Sequence, residues 1–387
     1  MPIVLFDNKD RKQFFPLAAT KAIAGLRMGV LTIQERWKLV TGQKVYIHTE
    51  NYLMPLYETI PLEEHIWIDS TVQITDELLL DIQNLQLNEA IVDEKGLVAG
   101  KSNQPANVFD INNTLHWFAV KTKQVQVKRL EHAHQIFQWN DGFIRADFAL
   151  LTTNRTSQPL PLSNQVINPD QVFLEEGVTM ECCTLNASSG PIYIGKNASL
   201  MEGCLIRGPF VLGENSLLKM GSKIYGATTL GPNCVGGGEI KNVVMQGNSN
   251  KAHDGYLGDS VIGEWCNFGA GSSNSNIKNT GGEVHIWNFA ANGYIEAGQK
   301  CGLLMGDYSR SAINSCINTG SVIGVCCNVF EAGLVPKFIN HFSWGVKDKY
   351  LFEKALIDIA NWKKMKHQAL GDTEIEVLKY IFDEIGE

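Results

Sequence analysis

Three features that would assign a function class are missing from this 387-residue chain. Its nine cysteines include no Cys-x-x-Cys pair, so neither a disulfide framework nor a zinc site is indicated. A net charge of −8 gives no support to nucleic-acid binding. No apolar run is long enough to span a membrane, and the first residues lack a basic segment followed by a long apolar core. We therefore expect a cytoplasmic protein without a membrane or nucleic-acid partner.

What is present is a composition typical of folded globular proteins. Hydrophobic residues make up 44% of the chain and charged residues 19%. The length exceeds that of one ordinary hydrophobic core, so two or three domains are expected.

The most regular feature of the sequence is a six-residue repeat in its middle. An aliphatic residue stands at every sixth position, and the residue four places later is small in nearly every repeat. The aliphatic positions are Ile194, Leu200, Ile206, Leu212, Leu218, Ile224 and Leu230. Neither a helix of period 3.6 nor a strand of period 2 produces this spacing. It predicts a parallel β-helix built from hexapeptides.

A second period of eighteen residues is nested in the first. Glycine follows the aliphatic residue at every third repeat, at Gly195, Gly213 and Gly231. Three hexapeptides therefore make one turn, which predicts a triangular section with one short strand on each face. Single turns cannot bury their apolar side, so the stack must be long and covered at its ends.

The remaining chain divides into segments of different pattern. Residues 1–153 alternate short apolar runs with helical stretches, which predicts an α/β domain. Residues 154–169 are polar and rich in proline, as expected for a linker. The β-helix is predicted over 170–346, with Asn274 to Gln299 leaving the stack as a loop. Residues 347–387 carry apolar positions at helical spacing, which predicts short amphipathic helices.

The richest segment runs from Gly237 to Asn276 and contains Gly-Gly-Glu-Ile-Lys, Asn-Lys-Ala-His-Asp-Gly-Tyr-Leu-Gly-Asp and Asn-Phe-Gly-Ala-Gly. These motifs resemble the acetyltransferase half of the bifunctional N-acetylglucosamine-1-phosphate uridylyltransferase/glucosamine-1-phosphate N-acetyltransferase (GlmU-like) family. The whole chain resembles the divergent form found in Bacteroidetes, including Gly-Glu-Trp-Cys-Asn and Phe342-Ser343-Trp344-Gly345. This resemblance implies a left-handed β-helix and association into a homotrimer.

The same resemblance implies roles for individual residues of the β-helix. His253 matches the general base that removes a proton from the sugar amine. Substrate-binding roles are implied for Lys241, Lys223, Tyr256, Asn267 and Asn276. Because Lys223 precedes Lys241 by eighteen residues, the period places the two ammonium groups one above the other, where they could hold a sugar phosphate.

The candidate site of the first domain differs from that of ordinary sugar nucleotidyltransferases. These enzymes open with a glycine-rich loop that cradles nucleotide phosphates, and this chain has none. In its place, Thr20 and Lys21 match nucleotide-binding positions, and Lys21 keeps a positive charge. Asp69 follows a predicted strand, and Asn140 is the second candidate ligand for Mg²⁺. An aspartate at such a position is otherwise a common turn or capping residue.

The sequence favours a bifunctional enzyme that transfers acetyl from acetyl-CoA to glucosamine 1-phosphate and then couples the product to UTP, releasing pyrophosphate. One alternative is a sugar-1-phosphate nucleotidyltransferase of other specificity, such as one using glucose 1-phosphate and dTTP. A second alternative is a non-catalytic β-helix scaffold. A zinc carbonic anhydrase of similar fold needs three histidines. The predicted β-helix has two in its central part, His253 and His285, so this alternative is disfavoured.

Overall fold

The structure of the protein is a computed structural model that describes residues 1–124 and 126–385. In chain order it contains an α/β domain, a parallel β-helix and C-terminal helices, which confirms the fold class predicted from the sequence. The last two residues of the predicted C-terminal segment lie outside this description. Within the described ranges, none of the helices has both the length and the apolar character that a membrane span requires.

The α/β domain is built on one mixed sheet. The strands of the domain are β1 (Ile3–Phe6), β2 (Arg27–Met28), β3 (Leu31–Thr32), β4 (Val45–His48), β5 (His65–Asp69), β6 (Glu89–Asp93), β7 (Gly96–Ser102) and β8 (Val120–Gln124). The sheet runs in the order β4-β1-β5-β7-β6-β8, and β2 and β3 form a separate hairpin. Because β1 is parallel to both β4 and β5, the carboxyl ends of all three lie at one edge. Ligands of open α/β sheets bind at that edge.

Two of the three α-helices described in this domain, the first two in chain order, begin at threonine side-chain caps. The three helices are α1 (Ile33–Thr41), α2 (Asp76–Gln83) and α3 (Gln135–Thr152), with 3₁₀ turns at Arg11–Phe14, Ile23–Gly25, Met54–Leu56, Ala106–Val108 and Thr114–Trp117. The Thr32 hydroxyl accepts from the Glu35 amide at 3.1 Å, and the Glu35 carboxylate accepts from the Thr32 amide at 2.7 Å. This reciprocal pair satisfies two amides that the helix itself cannot.

The β-helix consists of short strands separated by tight corners. They are β9 (Gln165–Ile167), β10 (Val172–Leu174), β11 (Thr179–Met180), β12 (Thr184–Asn186), β13 (Ile192–Ile194), β14 (Ser199–Leu200), β15 (Leu205–Arg207), β16 (Phe210–Leu212), β17 (Leu217–Leu218), β18 (Lys223–Tyr225), β19 (Thr228–Leu230), β20 (Val235–Gly236), β21 (Glu239–Gly247), β22 (Asn250–Lys251), β23 (Tyr256–Glu264), β24 (Asn267–Phe268), β25 (Ser273–Asn274), β26 (His285–Asn288), β27 (Gly293–Glu296), β28 (Leu303–Met305), β29 (Arg310–Ser311), β30 (Cys316–Ile317), β31 (Ser321–Ile323), β32 (Asn328–Val329), β33 (Leu334–Val335), β34 (Phe338–Ile339), β35 (Ser343–Trp344) and β36 (Asp348–Lys349). A 3₁₀ turn at Pro169–Gln171 lies between β9 and β10.

Apart from β26, β27 and β36, which pair antiparallel, these strands stack in parallel into three faces. The docked face contains β10, β13, β16, β19, the second halves of β21 and β23, then β28, β31 and β34. The helix face contains β11, β14, β17, β20, β22, β24, β29, β32 and β35. The open face contains β9, β12, β15, β18, the first halves of β21 and β23, and then β25, β30 and β33. The predicted loop after β25 carries an antiparallel hairpin of β26 and β27.

The six-residue repeat forms the interior of this stack, as predicted. All seven aliphatic positions from Ile194 to Leu230 are buried in one cluster with Cys204 and Cys234. The glycine of every third repeat is explained by the approach of the next turn. A Cβ atom at Gly195 would lie 2.7 Å from the amide nitrogen of Glu214, and one at Gly213 would lie 2.5 Å from the carbonyl carbon of Gly231.

Two of the three faces are covered by other parts of the chain. Ile144 of α3 is buried against Phe173, Tyr193 and Val211 of the docked face. The C-terminal helices α4 (Phe352–Lys364) and α5 (Asp372–Tyr380), followed by a π-helical turn at Ile381–Ile385, pack on the helix face and the first domain. The open face keeps Leu205 and Lys223 exposed to solvent.

Candidate functional site

The regular register of the β-helix changes just where the motif begins. Leu230 pairs with Met245, fifteen residues later, because the turn that contains β21 is shorter than the preceding ones. As a result Lys223 pairs with Glu239, and Tyr225 pairs with Lys241. The two ammonium groups predicted to stack are therefore not in register, because the eighteen-residue period does not continue through this turn.

The corner that carries His253 packs closely against two glycines, Gly237 and Gly238. The corner connects β22 on the helix face to β23 on the open face. Gly238 has a positive φ of 69°, and a Cβ atom there would lie 2.8 Å from the carbonyl oxygen of His253. A side chain at Gly238 would displace this corner, so the glycines before Glu239 fix where His253 lies.

His253 itself is exposed, while Lys251 beneath it is buried. The Lys251 ammonium donates to the carbonyl oxygen of Gly237 at 3.1 Å and to that of His253 at 2.5 Å. Burial lowers the pKa of Lys251 to about 8, although nearby Asp254 opposes this shift. The lysine therefore joins two successive turns immediately below the candidate base.

Tyr256 and Asn276 belong to one hydrogen-bonded network on the open face. The Asn276 amide donates to the Tyr256 hydroxyl at 3.0 Å and also to the Asp259 carboxylate. Asn242 donates to the other oxygen of Asp259 at 2.7 Å. Burial, together with the charge of Asp259, raises the pKa of Tyr256. Its phenol therefore keeps its proton and can donate to a substrate oxygen.

A second polar pair lies in the two preceding turns. The Tyr225 hydroxyl donates to Glu239 at 2.5 Å, and this hydrogen bond raises the pKa of Tyr225 to about 12. The Lys241 ammonium lies 5.9 Å from the centre of the Tyr225 ring. The structure thus brings Lys241 and Tyr256 onto the same face as Asn276.

Asn267 lies on a different face from the other candidates. It belongs to β24 of the helix face, where Asn250 donates to its side-chain oxygen at 3.4 Å. His253 lies on the corner between this face and the open face. The predicted residues are therefore arranged around one corner of the prism, with the histidine between the two groups.

Sequence reasoning missed Lys251, Asp259, Glu239 and Tyr225. The first three lie inside the quoted motifs, so the motif was the signal that could have found them. Tyr225 has no such signal, because its neighbour Lys241 is brought to it only by the shortened turn.

The first domain has its own cavity of about 520 Å³. Asn8, which follows β1, and Asp69, at the end of β5, contribute to its wall at the carboxyl edge of the sheet. Lys9, Arg129 and His132 also line it. This is the position where a nucleotide is expected in an α/β fold.

The carboxylate oxygens of Asp69 are already engaged by donors of the protein. One Asp69 oxygen accepts from the Thr71 amide at 2.8 Å and hydroxyl at 2.7 Å, and the other accepts from Asn8 at 2.8 Å and Arg129 at 2.6 Å. A carboxylate has about four lone-pair sites, and these four donors fill them. Among the described residues there is also no group of three or more His, Cys, Asp or Glu side chains suited to a metal.

Asn140 is not brought to Asp69. It is fully buried on α3, where its oxygen accepts from the Gly29 amide at 2.7 Å and its nitrogen donates to the Ala227 carbonyl at 2.8 Å. It therefore joins the first domain to the docked face. Asp69 and Asn140 therefore contact different parts of the chain, and their metal role stays a prediction.

Thr20 and Lys21 also lie at the contact between domains rather than among the residues that line the large cavity. The Lys21 ammonium is 2.6 Å from Glu264 and 3.0 Å from Asp307, and the Thr20 hydroxyl donates to Asp307 at 2.6 Å. These residues line a separate cavity of about 250 Å³ between the first domain, the β-helix and α5. A nucleotide role for Lys21 would require it to leave two carboxylates.

Comparisons with known proteins include a family model and two sequence relatives. Residues 3–156 match the family model described as sugar nucleotidyl transferase. The "Bifunctional protein GlmU" of Methanocaldococcus jannaschii is 29% identical over 117 residues, which cover 30% of this chain and 28% of the relative. A "Bifunctional sugar-1-phosphate nucleotidylyltransferase/acetyltransferase" of Sulfurisphaera tokodaii is 31% identical over 103 residues, covering 27% of this chain and 25% of the relative. The chain thus spans about a quarter of the length of these relatives.

A solved structure of Arabidopsis UDP-N-acetylglucosamine acyltransferase matches 59% of this chain and 91% of its own chain. The sequence identity is 13% and the TM-score is 0.31. The β-helix is accordingly assigned from the strand pairing of the chain itself.

Proposed function

We propose that this chain, which the nucleotidyltransferase match and the two bifunctional relatives support as a divergent GlmU-like enzyme, catalyses two transfers in amino-sugar nucleotide synthesis. The β-helix transfers acetyl from acetyl-CoA to glucosamine 1-phosphate. The first domain couples the sugar phosphate to UTP. The observation that carries the first step is the exposed His253 on a corner between two polar groups of side chains.

Acetyl transfer needs a base, a donor for the developing oxyanion and a site for the phosphate. The amine nitrogen attacks the thioester carbonyl carbon, the carbon–sulfur bond breaks, and CoA leaves. His253 accepts the proton lost by the amine and returns it to the departing sulfur, a task for which imidazole is suited near neutral pH. The Tyr256 hydroxyl accepts from Asn276, so its own proton is available to a substrate oxygen.

Lys241 and Lys223 supply positive charge on the open face for the sugar phosphate. Their offset register gives them different neighbours, with Lys241 beside Tyr225 and Lys223 beside Glu239. Lys241 is also the lysine that matches the phosphate-binding position of the resembled family. We assign Lys241 as the principal phosphate ligand.

In the first domain, an oxygen of the sugar phosphate attacks the α-phosphorus of UTP and pyrophosphate leaves. The cavity beside Asn8 and Asp69 is the proposed site because it lies at the carboxyl edge of the parallel strands. Enzymes of this kind generally use a divalent metal, but no step is assigned to Mg²⁺ at Asp69 or Asn140, whose oxygens are already engaged.

The proposal includes a homotrimer that associates through the open face. Apolar side chains on this face are about half exposed, with Ile167 at 51%, Leu205 at 53% and Leu334 at 59%. Exposed apolar area of this kind is typical of association surfaces. Light scattering at several concentrations measures the number of subunits.

The deciding experiment measures CoA release and pyrophosphate release separately. Glucosamine 1-phosphate with acetyl-CoA should release CoA, and His253→Gln should lower this rate by at least a hundredfold. His285→Gln is the matched control, because His285 is also exposed but lies on the hairpin. If the unmutated protein releases no CoA with any amino-sugar phosphate, the acetyltransferase proposal is lost. Glucose 1-phosphate and dTTP in the second assay test the nucleotidyltransferase alternative.

A further inference from the structure

The cavity of the first domain contains a buried arginine where a metal ion would be expected. Arg129 is 7% exposed and lies between two carboxylates. Its Nη1 donates to Asp69 at 2.6 Å, while Nε and Nη2 donate to Asp93 at 2.6 and 3.0 Å. Nη2 also donates to the carbonyl oxygen of Leu97 at 2.9 Å.

Each carboxylate accepts several hydrogen bonds from the protein in this arrangement. Beyond Arg129, Asp93 accepts from the amides of Lys95 at 2.9 Å and Gly96 at 3.0 Å. Asp93 thus receives four hydrogen bonds, and so does Asp69. A divalent ion at Asp69 must displace one of four donors, and the guanidinium among them is held by both acids. Removing one partner from such a buried network leaves the others without compensation, which is costly.

We propose that Arg129 is a built-in cation at the carboxyl edge of the sheet, and that the cavity binds its nucleotide without a divalent ion on Asp69. This inference rests on the proposed nucleotide function of the cavity. The single positive charge of the guanidinium offsets one of the two negative charges, so the wall carries less negative charge toward a phosphate than two free carboxylates would. Any metal that accompanies the nucleotide is then carried by the phosphates alone.

The first test measures Mn²⁺ binding by electron paramagnetic resonance, using the full chain and Mn²⁺ alone. We expect the unmutated protein and Asp69→Asn to bind Mn²⁺ equally, within twofold. Arg129→Gln should gain a site at least tenfold tighter, because it releases two carboxylates, and adding Asp69→Asn should abolish that gain. An Mn²⁺ site in the unmutated protein that Asp69→Asn removes would overturn the inference.

The second test measures UTP affinity by calorimetry with Mg²⁺ and with EDTA. A metal bound to UTP alone affects the unmutated protein and Asp69→Asn equally, so we expect the same ratio of affinities in both. A ratio at least tenfold larger in the unmutated protein would place the metal on Asp69 and reject the inference. If Arg129→Gln does not fold, the comparison of the unmutated protein with Asp69→Asn still decides the question. Arg129→Lys, which keeps the charge, is the second variant for this purpose.

The two measurements distinguish a failure of this inference from a failure of the nucleotide function on which it rests. If neither UTP nor a uridine diphosphate sugar binds to any variant, the proposed nucleotide function of the cavity fails. The Mn²⁺ measurement still decides whether Arg129 excludes a metal from Asp69, because it uses no nucleotide.

Discussion

Replacing Lys21 with Met tests whether this residue holds the domains together or binds nucleotide. Its ammonium lies between Glu264 and Asp307, at 2.6 and 3.0 Å. Asp307 also accepts from the Thr20 hydroxyl at 2.6 Å and from the Glu264 amide at 2.7 Å. The change therefore removes a cation from the contact between the first domain and the β-helix.

The expected loss of stability is set by the carboxylate that stays behind. The Asp307 side chain is 4% exposed, so its charge stays largely shielded from bulk solvent when Lys21 is removed. Removing one partner of a buried ion pair costs about 3–5 kcal/mol. Because Thr20 and the Glu264 amide still donate to Asp307, we expect the lower end, about 3 kcal/mol.

The loss should depend on pH. Burial raises the pKa of Asp307 above its ordinary value, and the charge of Lys21 opposes this rise. Without Lys21 the pKa of Asp307 rises further, so the folded variant binds a proton that the unfolded chain has released. The stability of the variant therefore falls as pH increases from the pKa of Asp307 in the unfolded chain to its higher pKa in the folded variant. The pKa of Lys21 is itself raised, so in the unmutated protein its contribution is fully present below about pH 10.

Urea denaturation at pH 5 and pH 8, followed by circular dichroism, measures both effects. The deficit of Lys21→Met should be larger at pH 8. Adding Asp307→Asn should recover part of it, because the unpaired charge is removed. Lys12→Met is the control, since Lys12 is exposed, and it should change stability by less than about 0.5 kcal/mol. A loss below about 1 kcal/mol at both pH values, accompanied by a tenfold loss of UTP affinity, would refute this reasoning.

Three further predictions concern the corner of the β-helix. Because burial lowers the pKa of Lys251 to about 8, the unmutated protein should gain about 2 kcal/mol relative to Lys251→Met between pH 7 and pH 10, measured by denaturation. Asn276→Ala removes the hydrogen bonds to Tyr256 and Asp259, so KM for glucosamine 1-phosphate should rise about tenfold while the fold is retained, measured by CoA release. Gly238→Ala should lower both stability and CoA release because its Cβ would meet the His253 carbonyl at 2.8 Å. Gly42→Ala, with a similar φ of 65° but open space, should cost only the backbone strain of about 1 kcal/mol; equal effects would contradict the steric argument.

Much of the β-helix could be predicted because its repeat is local. Each aliphatic residue from Ile194 to Leu230 is buried within its own turn, and each third glycine meets only the next turn. The α/β pattern was also predictable, since Thr32 and Glu35 cap α1 within four residues. The motifs alone predicted that His253, Tyr256 and Asn276 belong to one functional segment.

The register at the site could not be predicted from the period. A turn shortened by a few residues keeps its aliphatic side chains inside but changes which outward residues are neighbours. Lys223 therefore meets Glu239, and Lys241 meets Tyr225. Spacing indicated that both lysines face outward. Only the strand pairing showed that they do not lie one directly above the other.

The amino-acid sequence by itself determined the β-helix and the segment that carries His253, because repeats and motifs act between residues close in the chain. Only the tertiary structure decided the contacts of Lys21, Asp69 and Asn140. Lys21 contacts Asp307, Asp69 contacts Arg129, and Asn140 contacts Ala227. A polar side chain takes its role from the partner that satisfies it, and these partners meet only when the sheet and the domains have assembled.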